Sequence, residues 1–237
     1  MSLPVLVLRP EPGAGATLAA ARKAGLDAHA FPLFDIRPLP WTPPARDTID
    51  ALLLGSANAL RHAGEALALY RGLPAYAVGE TTAEAARAAG LEVVAAGRGG
   101  LQNLLDALRP GHRRLLRLAG RERVPLAVPN GVALHACEVY ASELRPLPAA
   151  LAALLARPAI ALAAIALLHS GEAAARLRQL CDEAGIDRTR IALAAIGPRV
   201  AARAGAGWAL VRSAETPEDA ALLALAARMC QEAASGQ

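Results

Sequence analysis

The chain is poor in the residues that organise small secreted folds, metal centres and nucleic-acid platforms. Its three cysteines, Cys137, Cys181 and Cys230, are widely separated, odd in number and without a CxxC or CxxH companion, so neither a disulfide framework nor a zinc site is expected. The five histidines, His29, His62, His112, His135 and His169, show no HxxxH or HExxH spacing, so metal catalysis lacks its ligands and no metal or cofactor is expected. Aromatic residues make up only 3% of the chain, too few for a base-stacking surface. Of 25 Lys and Arg side chains only Lys23 is lysine, which leaves little scope for Schiff-base chemistry or a phosphate-loop lysine. The first residues lack the basic segment and small-residue cleavage site of a secretory signal, so a cytoplasmic location is expected. The apolar stretch 149–168 is interrupted by Arg157 and Pro158. A central arginine costs roughly 2.5–3.5 kcal/mol on insertion, so this stretch reads as a helix, a break and a buried strand, not a membrane span.

What the chain does have is apolar bulk and a repeated pattern. A length of 237 residues with 54% apolar content allows one large domain or two ordinary ones. The net charge of +4 is diffuse and points to anionic partners without requiring nucleic acid. Short runs of Val, Leu and Ala without polar alternation, at 5–8, 51–54, 76–78, 93–95 and 115–118, fit strands covered on both faces. Helical patterns lie between them, from Gly15, Asn58, Thr81 and Leu101. A second series follows, with strands at 159–168, 191–196 and 208–211 alternating with helices at 172–184, 198–204 and from Pro217. Strands that alternate with helices imply a parallel, helix-covered sheet.

The two series echo each other. Tyr76 opens YAVGETTAEAARAAG and Leu193 opens LAAIGPRVAARAGAG. Aligning Gly79 with Gly197 brings Ser56 of LLLGSAN opposite Ser170 of ALLHSGE. A pseudo-repeat of about 100 residues is too long a period for a solenoid. It implies an α/β fold of two similar lobes, each a parallel sheet covered by helices. The expected lobes are 1–34 with 149–237, and 40–136 inserted between them. Two proline-flanked extended segments, 35–39 and 137–148, would form a two-strand connector.

In open α/β sheets ligands bind outside the carboxyl ends of the strands. Those ends carry Arg9, Ser56, Asn58, Gly79, Thr81, Thr82, Ser170, Gly197 and Arg199. Thr81, with Glu84 three residues later, reads as the cap of its helix. A cleft lined by these loops, rich in hydroxyls and backbone donors, would suit a large ligand bearing many carboxylates. Other readings are weaker. Gly13-Ala14-Gly15 lacks the third glycine of a dinucleotide loop. His169 beside Ser170 has no evident acid partner. The basic run 113–125 has no interleaved aromatics and reads as a strand with solvated flanking arginines, not a nucleic-acid surface. Tyr140 stands in the second extended segment, where its hydroxyl could donate a proton.

The ordered set LVLRP, LLLGSANAL, YAVGETTAEAARAAG, LLRLAGRE, CEVYASE, ALLHSGEAA and AAIGPRVAARAGA resembles the uroporphyrinogen-III synthase family over essentially the whole chain. The resemblance implies a bilobed α/β fold and a lyase without cofactor or metal. Its substrate is hydroxymethylbilane, a linear tetrapyrrole with eight carboxylates. It is closed with loss of water and inversion of its last ring, giving uroporphyrinogen III in the porphyrin and heme pathway. By position, the resemblance makes Tyr140 the tyrosine that assists departure of the substrate hydroxyl, and Thr82, Ser56, Ser170 and Arg9 substrate-binding residues. Where the family reads Gly-x-Thr-Thr-Ala, this chain reads Gly197-Pro198-Arg199-Val200-Ala201, so Arg199 would replace hydroxyl contacts with charge. The expected partner is a small polycarboxylate tetrapyrrole, with no nucleic acid and no membrane, and the expected state is a monomer. The alternative is a catalytically weakened relative that serves as a cytoplasmic tetrapyrrole-binding or sensor protein.

Overall fold

The structure, a computed structural model, describes residues 3–97, 100–157 and 162–235. The chain divides into two units. The first comprises residues up to Asp35 and from Leu144 onward, and the second runs from Ile36 to Glu143.

The first unit is built on β1 (Val5–Val7), β2 (Ala28–Ala30), β9 (Ala164–Leu168), β10 (Ile191–Ala195) and β11 (Leu210–Ser213), in the spatial order β11-β10-β9-β1-β2. Every pairing is parallel. Its helices are α1 (Gly13–Lys23), α5 (Ala149–Leu155), α6 (Gly171–Glu183), α7 (Pro198–Ala204) and α8 (Asp219–Ser235). The lack of polar alternation in the strands is explained by burial on both faces. Leu6 and Leu8 join one apolar cluster with Leu151, Leu168, Leu177 and Leu193, while Val5 and Val7 join another with Ile165, Leu222 and Met229. Residues 159–161 of the expected strand 159–168 lie outside the described residues.

The second unit holds β3 (Phe34–Pro38), β4 (Ala51–Leu54), β5 (Pro74–Val78), β6 (Glu92–Gly97), β7 (Arg114–Gly120) and β8 (Ala133–Leu144), in the order β3-β8-β7-β4-β5-β6. Helices α2 (Ala57–His62), α3 (Glu80–Ala88) and α4 (Leu101–Asp106) connect its parallel strands. Its sheet too is buried on both sides. Leu52, Leu54, Leu116 and Leu118 belong to one cluster, and Leu53, Tyr76 and Leu115 to the other.

Three sequence expectations shift. The last strand begins at Leu210, not Trp208, because the Trp208 indole N–H donates to the Ala204 carbonyl at 3.1 Å and its ring lies under the Arg188 guanidinium, holding that residue in the preceding turn. The helix after β5 starts at Glu80 with Gly79 as its cap and no side-chain capping bond, so Thr81 lies inside the first turn and is not the cap. The basic run is not wholly solvated. Arg117 sits in the middle of β7 with only 6% of its surface exposed.

Candidate functional site

Because the strands joined through helices are parallel, their carboxyl ends fall along one edge of each sheet, and the candidate residues divide between the two units. In the first unit the structure gathers Arg9 after β1, His169 and Ser170 after β9, and Gly197 and Arg199 after β10. Ser170 caps α6, its Oγ accepting from the Ala173 amide at 3.1 Å. Gly197 caps α7 with extended backbone, φ −175°, and Pro198 follows at the first helical position. Arg199 is exposed and makes no ion pair or side-chain hydrogen bond with another described residue.

Arg9 is differently employed. Its Nη1 donates to Asp219 Oδ2 at 3.0 Å and to Oδ1 at 3.1 Å, and Thr17 Oγ1 donates to Asp219 Oδ2 at 2.6 Å. His169 Nε2 lies 3.2 Å from Asp219 Oδ1, at ion-pair distance but off the line of a directed hydrogen bond, with 7% of its side chain exposed. The acid partner that the sequence did not suggest for His169 is therefore Asp219, from the first residue of α8. The contact with His169, then Thr17 and Arg9, outweighs burial and holds the Asp219 carboxyl at about 2. This cluster joins β1, α1, β9 and α8, and it leaves Arg9 already satisfied by an internal carboxylate.

In the second unit Ser56 caps α2, its Oγ accepting from the Asn58 amide at 3.2 Å, while Asn58 Oδ1 accepts from Arg61 at 3.1 Å. Gly79 caps α3 at φ +74° and ψ 159°, a conformation reserved for glycine. Thr81 faces outward and Thr82 inward, at 5% exposure. The first turn of α3 leaves backbone N–H groups without helical acceptors, beside the positive end of the helix dipole.

Tyr140 is set apart by what its hydroxyl lacks. Of the three tyrosines, Tyr70 donates to the Pro44 carbonyl at 2.7 Å. The Tyr76 hydroxyl accepts from the Arg109 amide at 2.9 Å and bonds His112 Nδ1 at 2.8 Å. The Tyr140 hydroxyl bonds no other described residue. It is half-buried on β8, at a register shift where Ala119 faces Glu138 but Gly120 faces Tyr140. Such a bulge re-aims the side chain that follows it. The ring packs on Gly120, where a Cβ would lie 2.8 Å from it, and tilts towards His62 at 6.2 Å between centroids. Burial, and then the charge of Arg61, pulls the His62 pKa down. The neutral imidazole is thereby favoured beside the tyrosine.

Sequence reasoning did not single out Asp219, Arg117 or Glu138. Arg117 was legible as the one charge inside the apolar string LLRLAG. Its Nη2 donates to the Val124 carbonyl at 3.0 Å while its buried Nε has no hydrogen-bond partner among the described residues. Asp219 carried only the weak signal of an acidic residue at a helix start.

A family model described as uroporphyrinogen-III synthase HemD matches residues 16–224. No match was found among the curated proteins. Among solved structures, the chain is similar to uroporphyrinogen-III synthetase from Helicobacter pylori, at 18% identity and TM-score 0.63, covering 97% of this chain and 100% of that one. It is also similar to a mutant uroporphyrinogen III synthase from the extremely thermophilic bacterium Thermus thermophilus, at 20% identity and TM-score 0.58, covering 98% and 99%. These structures share the fold, two lobes of parallel sheet covered by helices. With nearly its full length matched by that family model, the chain belongs to the uroporphyrinogen-III synthase family.

Proposed function

We propose that Tyr140 is the catalytic residue of this chain and that the strand-end loops of each unit contribute substrate contacts. The family is a lyase of porphyrin biosynthesis, and its reaction closes hydroxymethylbilane to uroporphyrinogen III with loss of water and inversion of the last ring. Loss of hydroxyl from a pyrrole-activated carbon is intrinsically easy, and unassisted closure gives the uninverted isomer. The protein's task is therefore chiefly to hold the chain of pyrroles so that the correct carbon is attacked. Tyr140 donates its proton to the departing hydroxyl, which leaves as water.

Substrate carboxylates are taken by Arg199, whose guanidinium pairs with no other described residue, and by the backbone donors after Gly79 and Gly197. The hydroxyls of Ser56, Ser170 and Thr81 and the side-chain NH2 of Asn58 add hydrogen bonds, while the buried Thr82 supports the start of α3. Arg9 contributes indirectly, through the loop that its Asp219 pair holds. The observation that carries the reading is the Tyr140 hydroxyl at a strand bulge, which bonds no other described residue, while the hydroxyls of Tyr70 and Tyr76 are bonded within the fold. No helix among the described residues is long and apolar enough to cross a membrane, and no metal-binding cluster occurs among them. We take the protein to act in the cytoplasm as a monomer.

The test is an isomer-resolved assay: the chain should convert hydroxymethylbilane to uroporphyrinogen III. Binding of tetrapyrrole without any isomer III would favour the sensor alternative.

A further inference from the structure

Parallel neighbours are ordinarily joined by a helical crossover, yet residues 121–132 connect β7 to β8 without one. This strap is nonetheless fixed. Arg117 holds the Val124 carbonyl at 3.0 Å. Gln102 brackets Ala127, its Oε1 accepting from the amide at 2.9 Å and its Nε2 donating to the carbonyl at 3.0 Å. At the start of the strap two guanidinium groups flank one carboxylate. Arg123 Nη1 donates to Glu138 Oε1 at 2.6 Å, and Arg121 Nε lies 3.7 Å from Glu138 Oε2. The Arg123 bond, assisted by the charge of both arginines, draws the Glu138 carboxyl below its ordinary value. Arg121, Glu138 and Arg123 keep 58%, 40% and 31% of their side chains exposed, so a solute can reach them. The Arg121 amide donates to the Tyr140 carbonyl at 2.9 Å, placing the trio beside the tyrosine.

We propose that Arg121 and Arg123 form a carboxylate-binding subsite for the substrate, and that Glu138 is an internal carboxylate occupying it until substrate displaces it. The proposal rests on the synthase reading above. Two neighbouring guanidinium groups repel without a counter-ion, and Glu138 keeps them aligned in the free protein. An exposed ion pair is weak, so exchanging one carboxylate for another loses little within the pair, and bidentate geometry is available to the incoming group. Arg117 and Gln102 pin the strap at Val124 and Ala127, and Arg123 Nη1 also donates to the Arg121 carbonyl at 3.1 Å and the Gly120 carbonyl at 3.4 Å, so the strap has ties besides Glu138.

The experiment measures KM for hydroxymethylbilane in Glu138→Gln, Arg121→Ala, Arg123→Ala and Arg123→Lys, with calorimetric binding of the polycarboxylate mellitate as a readout independent of turnover. Removing the internal competitor should lower KM and tighten mellitate binding by about 2- to 5-fold in Glu138→Gln. Arg123→Ala should raise KM about 5- to 30-fold, with Arg123→Lys recovering part and Arg121→Ala losing less, magnitudes in keeping with one charged contact. A structural latch alone would show the opposite pattern, and that result overturns the proposal: lower melting temperatures for Glu138→Gln and Arg123→Ala with unchanged KM and unchanged mellitate affinity. Should the wild-type chain form no isomer III, the synthase reading fails by itself, and the mellitate series still decides whether the arginine pair binds carboxylates.

Discussion

Two of the three tyrosines spend their hydroxyls on the fold, and the third bonds no other described residue. Tyr140→Phe should therefore lower turnover about 10- to 1000-fold, the range of one lost general acid, with little change in melting temperature. Tyr76→Phe, which removes bonds to His112 and the Arg109 amide, should lower the melting temperature and leave turnover largely intact. Gly120→Ala would drive a Cβ into the Tyr140 ring, so its loss should appear in turnover more than in stability. Acid sensitivity belongs at this scale too. Asp219 is held at about 2 by His169, Thr17 and Arg9, and Asp50 at about 2 by Arg114 and two backbone amides. Both folded values lie below the ordinary 3.8, so their stabilisation is full above about pH 4 and is lost as pH falls towards 2. With 36% of the Asp219 side chain exposed, water screening reduces its share to about 1 kcal/mol. Asp219→Asn should flatten the acid limb of the stability curve, measured by denaturant unfolding between pH 2 and 5. The roles of single residues were the least legible part of the sequence. Arg9 reads as a ligand for an anion, but its true partner lies 210 positions away, and no local pattern announces a contact of that kind.

The two glycine turns look alike as sequence and differ as elements. Gly79 holds φ +74°, whereas Gly197 is extended at φ −175°; at both, space is open where a Cβ would sit, so backbone strain alone separates them. Gly79→Ala should cost about 1–3 kcal/mol in strain, while Gly197→Ala should stay within about 0.5 kcal/mol, read by thermal or chemical unfolding. At Gly197 the helix starts from ordinary extended backbone with proline at its first position, where its fixed φ suits the helix and its missing N–H costs no bond. Elements with unbroken apolar runs were readable because burial on both faces erases alternation. β2, only Ala28-His29-Ala30, was not, since three residues carry no period. Thr81 was misread as a cap because threonine suits that position chemically, while the backbone of Gly79 takes it geometrically.

At the scale of the molecule the repeat was the strongest signal. It specified two parallel α/β units, and the structure shows both, with the chain passing from one to the other at 35–36 and again at 143–144. The extended segments read as a connector are strands β3 and β8, neighbours in the six-stranded sheet. β8 was underestimated at its start because the short run Val132-Ala133-Leu134 follows a helix-free strap and is broken by His135, so it lacks the helix-strand alternation that marked the other strands. On the proposed reading the reaction asks for one proton donor and many positioning contacts at strand ends, and no single motif in the sequence announces such a site. The direct test is to mix hydroxymethylbilane with the wild-type chain and with Tyr140→Phe and to separate the cyclic products by isomer. The account predicts isomer III as the main product of the wild type and a much slower yield of the same isomer from the variant. Isomer I alone from the wild type, or equal rates of isomer III from both, would contradict it.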